Sequence, residues 1–223
     1  MKQKEILLFG ATGQIGRNLI RKLSKNNYKI TAVTRNIHRG GYILKTQANP
    51  GYLELIELKS FNINKIDELI KRSSICINLI GILYEKRKNE FKLIHSDLPA
   101  MLSKKANEFK LEKFIHLSAL GIEDATDSKY ALSKLDGEKR IKKNFDKSII
   151  IKPSIVYSVD DKFSTKFMSL LSILPIMPLY YNGRTKFSPI HVSDLVEVIS
   201  YTFKRDAFLE EGKALFTSVT FNV

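Results

Sequence analysis

Cysteine is almost absent from this chain. Cys76 is the only one in 223 residues, so no internal disulfide can form and a disulfide-stapled secreted fold is excluded. It sits in an apolar run, where a free thiol acts as a small buried hydrophobe. Eleven glycines and six prolines are too few for a collagen-like or low-complexity chain, and 43% hydrophobic residues are too many for a disordered one. Long apolar runs are missing as well. The nearest, residues 170–181, is interrupted by Ser172, Pro175 and Pro178 and falls short of the roughly 18 residues of a spanning helix. The start, Met1-Lys-Gln-Lys-Glu-Ile-Leu-Leu-Phe-Gly10, lacks the charged, apolar and small-residue succession of a signal peptide, so a cytoplasmic protein is expected. His38, His95, His116 and His191 show no metal-ligand spacing, and no metal site is expected. Acid is the scarcer charge: 23 Asp and Glu against 37 Lys and Arg leave a net charge of +14, which favours nucleotides, nucleic acid or an anionic membrane surface as partners.

What is present is an alternation of short apolar runs with helical patterns. Ile6 to Phe9 is continuously apolar, and Ile15, Leu19, Ile20 and Leu23 then recur at helical spacing until Asn26-Asn27. Residues 28–34, 53–58, 75–80, 113–117 and 148–151 read as further strands, and 63–72, 91–109 and 129–143 as helices. Strands with little alternation are covered on both faces, and strands separated by helices run parallel with right-handed crossovers. The fold class expected is α/β, a doubly wound parallel sheet. Residues 36–51, rich in Gly, Asn and Pro, read as a flexible loop. Asn78, inside an apolar strand, is expected to bond neighbouring backbone.

Gly10-Ala-Thr-Gly13-Gln-Ile-Gly16 lies where the first strand meets the first helix. Gly10 permits the turn, Gly13 lets backbone approach a pyrophosphate, and Gly16 lets the helix pack on the sheet. The helix start then offers free amides and a partial positive charge to the phosphates. Gly10, Thr12, Gly13, Gln14, Ile15 and Gly16 are therefore the candidate dinucleotide contacts. The second strand ends Val33-Thr34-Arg35-Asn36, with no acid to hold an NAD ribose and with Arg35 available to a 2′-phosphate, so NADP(H) is favoured over NAD(H). Tyr130 and Lys134 stand four apart on one helical face, after Ser118 at the end of the fifth strand. An ammonium near a phenol favours the phenolate, so Tyr130 could exchange a proton with a carbonyl or alcohol while Lys134 holds the nicotinamide ribose.

These motifs, with Gly137-Glu138, Lys152-Pro153-Ser154 and Ser188-Pro189-Ile190-His191-Val192-Ser193-Asp194, resemble in order the extended, epimerase-like branch of the short-chain dehydrogenase/reductases. Within it, Ile77-Asn-Leu-Ile-Gly81, Glu112-Lys-Phe-Ile-His-Leu-Ser118 and Ile151-Lys-Pro-Ser-Ile-Val-Tyr157 resemble the NADPH-binding accessory subunit of respiratory complex I and its bacterial homologues. The resemblance implies a Rossmann domain over residues 1–152 and a small, truncated C-terminal lobe over 153–223. It adds Asn62, Gly81 and Pro153 to the cofactor contacts and Ser118 to the catalytic candidates. It implies an accessory or assembly component of complex I, peripheral on the cytoplasmic face of the inner membrane. The alternative is a soluble NADP-dependent reductase or sugar-nucleotide epimerase-like enzyme using the Tyr/Lys pair. The chain departs from the family pattern at Asn62, where an acid is common, at Ala119 after Ser118, and at Ser158, where glycine is usual.

Two further stretches invite a reading. The crowded apolar segment 167–181 is expected to be partly exposed, resting on a protein partner or on anionic headgroups. Lys86-Arg87-Lys88 is the densest basic cluster and reads as a solvated loop, and without interleaved aromatics no nucleic-acid partner is expected.

Overall fold

The computed structural model describes residues 4–159, 161, 165, 168, 169, 172 and 188–202. Six strands alternate with helices: β1 (Glu5–Phe9), α1 (Gln14–Lys25), β2 (Lys29–Thr34), α2 (Ile37–Lys45), β3 (Leu53–Glu57), α3 (Ile63–Lys71), β4 (Ile75–Asn78), α4 (Leu98–Glu108), β5 (Lys113–Leu117), α5 (Lys129–Asn144) and β6 (Ile149–Ile151). They form one all-parallel sheet in the order β3-β2-β1-β4-β5-β6. The order reverses between β1 and β4, and the crevice that opens beyond the strand ends at such a switch point is where ligands bind in sheets of this kind.

The unbroken apolar runs have the cause expected of them, since helices cover both faces. In β1, Ile6 and Leu8 point into one core, with Leu19, Ile20 and Leu23 of α1 and Leu44 of α2. Leu7 and Phe9, alternating with them, point into the other, with Ile66 and Ile70 of α3, Leu98 and Leu102 of α4 and Ile141 of α5. Ile6, Leu7, Leu8 and Phe9 are all fully buried, each worth roughly 1.5–3 kcal/mol of transfer free energy. Cys76 is buried in the second core, where desolvation pushes its thiol well up.

Residues 36–51 are not the flexible loop the composition suggests, because most of them form α2. Asn36 caps that helix by accepting from the Arg39 N–H at 2.9 Å, and its two glycines serve close packing. A Cβ on Gly40 would lie 2.8 Å from Thr12 Cγ2, and one on Gly41 3.1 Å from Leu55 Cδ1. The helical pattern over 91–109 is interrupted at its start by a π-helical turn, Lys92–Asp97, that runs straight into α4.

Beyond β6, β7 (Val156–Tyr157) pairs in parallel with β8 (Ile190–His191), which leads into α6 (Val192–Tyr201). Leu195, Val196 and Ile199 of α6 complete the core over α1. Among the described residues no helix is long and apolar enough to cross a membrane. The apolar segment 167–181 lies, apart from Met168, Ser169 and Ser172, outside the described residues.

Candidate dinucleotide and active site

Gly10 has φ +82° and passes beneath the end of β4; a Cβ there would meet the Leu79 carbonyl carbon at 2.8 Å. Gly16 is equally constrained, its Cβ falling 2.5 Å from the Gly10 oxygen. Both need to be glycine for the fold itself. Gly13 differs. A Cβ there would find one protein atom within 4 Å, the Gly10 oxygen at 3.4 Å, so no protein neighbour enforces a glycine and the position lies open to a ligand's close approach.

The start of α1 is open in a second sense. α2, α3, α5 and α6 are capped by the side chains of Asn36, Asn62, Ser128 and His191, whereas Gly13 supplies no side-chain cap to α1 and the first turn carries no acid. Its leading amides and positive dipole end remain available to an anion. Thr12 is exposed beside α2, Ile15 packs on the first core, and Gln14 donates to Ser158 Oγ at 2.8 Å, tying the glycine loop to the strand pair β7-β8.

Arg35, one residue past β2, is exposed and makes no ion pair among the described residues. The nearby acid at the end of β3, Glu57, is engaged. It accepts from the Ile37 N–H at 2.8 Å, which holds its carboxyl below the usual range, and pairs with Lys59. Asn62 caps α3 by accepting from the Lys65 N–H, which leaves its amide donors to meet a nucleotide. The Pro153 carbonyl accepts from the Leu120 N–H at 2.9 Å.

On the other side of the switch point the loop after β4 meets α5. A Cβ on Gly81 would lie 3.9 Å from Lys134 Nζ and 4.0 Å from His95 Nε2, so both side chains converge on one glycine. Lys134 Nζ lies 5.6 Å from the Tyr130 ring centroid and donates weakly to the Leu117 carbonyl at 3.4 Å. Burial lowers the Lys134 pKa to about 8, with Glu138 pulling against it. The phenol does not follow the expected direction. Burial raises the Tyr130 phenol above its ordinary value, and the Lys134 ammonium lies over its ring. Among the described residues the buried Ser118 Oγ has no hydrogen-bond partner, which leaves a donor for a group entering the site.

His95 had no distinguishing sequence signal beyond its spacing of four from Phe91, yet it packs directly on the candidate tyrosine. Its ring stacks on Phe91 at 5.2 Å and meets Tyr130 edge-on at 5.2 Å. The Ile82 N–H donates to Nε2 at 3.1 Å, so neutral His95 carries its proton on Nδ1, 2.9 Å from Ser133 Oγ, which in turn donates to the Tyr130 carbonyl. Desolvation, and secondarily Lys134, depress its pKa to about 4. Behind it His116, lowered to about 3 chiefly by burial, meets the Asn78 amide at 3.2 Å. The other end of Asn78 accepts from the Ile80 N–H, the backbone bond expected of it.

The model of the NAD dependent epimerase/dehydratase family matches residues 6–215. The chain belongs to that family. It is 24% identical over 215 residues to the mitochondrial NADH-ubiquinone oxidoreductase 40 kDa subunit of Neurospora crassa, covering 96% of this chain and 56% of that protein. It is 27% identical over 201 residues to the mitochondrial NADH dehydrogenase [ubiquinone] 1 alpha subcomplex subunit 9 of Mus musculus, covering 90% and 53%. The chain thus spans about half the length of these relatives. Among solved structures, Gre2 of Candida albicans in complex with NADPH shares the fold with a TM-score of 0.72 at 18% identity, over 91% of this chain and 75% of that one. The Rossmann architecture is therefore that of an NAD(P)-binding family.

Proposed function

We propose that the chain holds NADP(H) and serves as an accessory or assembly component of NADH:ubiquinone oxidoreductase, peripheral on the cytoplasmic face of the membrane that houses it. Arg35 carries the cofactor assignment: an exposed guanidinium with no ion pair among the described residues follows β2, while the neighbouring carboxylate, Glu57, is already bound to backbone and Lys59. The glycine loop and uncapped α1 would take the pyrophosphate and Lys134 the nicotinamide ribose, with Gly81, Pro153 and the Asn62 amide lining the path. When bound, the nicotinamide supplies a hydride donor or acceptor. The accessory role is supported by similarity to two proteins named as subunits of that oxidoreductase.

A charge-assisted contact of about 1.5–3 kcal/mol from Arg35 favours NADPH over NADH by at least about tenfold, and Arg35→Ala removes most of that ratio. Equal affinities in the parent protein, measured by titration calorimetry at one salt concentration, refute the assignment. Co-migration with the complex on a native gel of mildly solubilised membranes tests the accessory role, and free migration rejects it.

The unpartnered Ser118 hydroxyl favours a second reading, a soluble NADP-dependent reductase or epimerase-like enzyme. In that case Ser118 and Tyr130 bind a substrate carbonyl oxygen, and Tyr130 transfers the proton. Tyr130→Phe then cuts turnover by about 10² or more with cofactor affinity retained. A carbonyl substrate whose reduction depends on Tyr130 decides for this reading.

A further inference from the structure

The loop after β4 contains the densest basic cluster of the chain, and its acids are turned inward. Glu85 accepts from the Phe91 N–H at 2.8 Å, and a single oxygen of Glu90 accepts from the Lys86 N–H at 2.8 Å and the Arg87 N–H at 3.3 Å. Asn89, in the left-handed region at φ 64°, closes the turn. With both carboxylates engaged by backbone, the side chains of Lys86, Arg87, Lys88 and Lys92 are exposed and form no ion pair among the described residues. Lys86 Nζ lies 6.0 Å from the exposed Tyr84 ring.

The apolar neighbours of these cations are also exposed: Leu83 by 83%, Tyr84 by 63% and Leu93 by 50%. A merely solvated loop gains nothing from three such side chains. A leucine and a tyrosine beside four cations that outnumber the loop's two carboxylates, Glu85 and Glu90, match a bilayer interface, where the apolar groups enter the headgroup boundary and the cations snorkel to lipid phosphates. A nucleic acid would instead be met by a groove with stacked aromatics, whereas this turn carries one exposed ring, Tyr84. The turn is braced before docking, by its own carboxylates and by the Ile82–His95 bond at its base, so little ordering entropy is lost on contact.

We infer that residues 83–93 form a docking surface for a membrane with anionic headgroups. The inference stands independently of the proposed nucleotide and complex assignments, and it places the bilayer beside the loop that lines the candidate site.

The test is co-flotation of the full chain with vesicles of phosphatidylcholine alone or mixed with phosphatidylglycerol. The parent floats with the mixed vesicles and not with phosphatidylcholine. Each cation near an anionic surface contributes about fivefold, so Lys86→Glu, Arg87→Glu and Lys88→Glu together lower the partition by about 10² or more. Leu83→Ser with Tyr84→Ser, which leaves every charge in place, lowers it by about tenfold. A distant triple, Lys65→Glu, Lys139→Glu and Lys147→Glu, changes the net charge equally and leaves the partition close to the parent's. The inference is overturned if the parent ignores mixed vesicles, if the distant triple loses as much as the loop triple, or if the loop triple abolishes binding to RNA or to an acidic protein with flotation intact. NADPH affinity, measured on every variant, reports folding and keeps failure of this inference distinct from failure of the nucleotide assignment.

Discussion

Gly137 sits within α5, and replacing it with alanine sets two effects of opposite sign against each other. In a helix interior the change normally gains about 1 kcal/mol, because glycine loses more backbone entropy and exposes more backbone than alanine does. Here the new Cβ would fall 1.9 Å from the His95 carbonyl oxygen and 3.0 Å from its carbon. Both are backbone atoms of the π-helical turn, so no rotamer change relieves the contact. Restoring an ordinary carbon–oxygen separation of about 3.3 Å requires α5 to retreat by more than about 1 Å. That motion loosens Ile141 and Phe145 from Leu98, Leu102 and Ala106 in the core beneath. Overpacking of this kind costs roughly 1–3 kcal/mol, and a contact this short to a backbone oxygen belongs in the upper part of that range, about 2–3 kcal/mol, so after the helix-propensity gain net stability falls by about 1–2 kcal/mol. At an m-value of about 2–3 kcal/mol/M the urea midpoint drops by roughly 0.5 M. Because α5 carries Tyr130 and Lys134, NADPH affinity falls with it. A Gly137→Ala protein with an equal or higher urea midpoint would show that helix propensity outweighs the contact and that α5 does not abut the turn as described.

Two predictions concern pH. His116 is neutral when folded, with a pKa near 3 against about 6.5 unfolded, so the unfolded chain binds the extra proton as pH falls from about 6.5 towards 3 and stability declines over that window by up to about 1.4 kcal/mol per unit per histidine. His116→Gln should flatten that slope between about pH 6.5 and 5 in urea titrations, above the range where most carboxylates titrate, and an unchanged slope rejects the buried neutral histidine. Lys134, lowered to about 8, loses its charge as pH rises through that value, so NADPH affinity falls between pH 7 and 9 in calorimetry and Lys134→Ala removes the dependence. A pH-dependence that survives in Lys134→Ala assigns it to another group.

Much of the molecule followed from local pattern. The apolar runs at Ile6 to Phe9 and 75–80 were legible as strands because a doubly covered sheet needs apolar residues at every position, and β1 and β4 bury both alternating sets. Gly10 and Gly16 were legible because their demands are made by the turn and by the first helix itself. The pairing of Tyr130 with Lys134 follows from helical spacing alone. Tertiary structure decided the rest. Residues 37–45 become helical because Leu44 finds a core and two glycines find close neighbours, neither visible in a Gly-rich string. His95 reaches Tyr130, and Gly81 reaches both His95 and Lys134, only because parallel β4 and β5 bring the β4 loop beside α5, residues distant in sequence. The phenol's direction of titration likewise depends on burial and on where an ammonium lies relative to a ring, both set by packing and absent from the spacing of two residues.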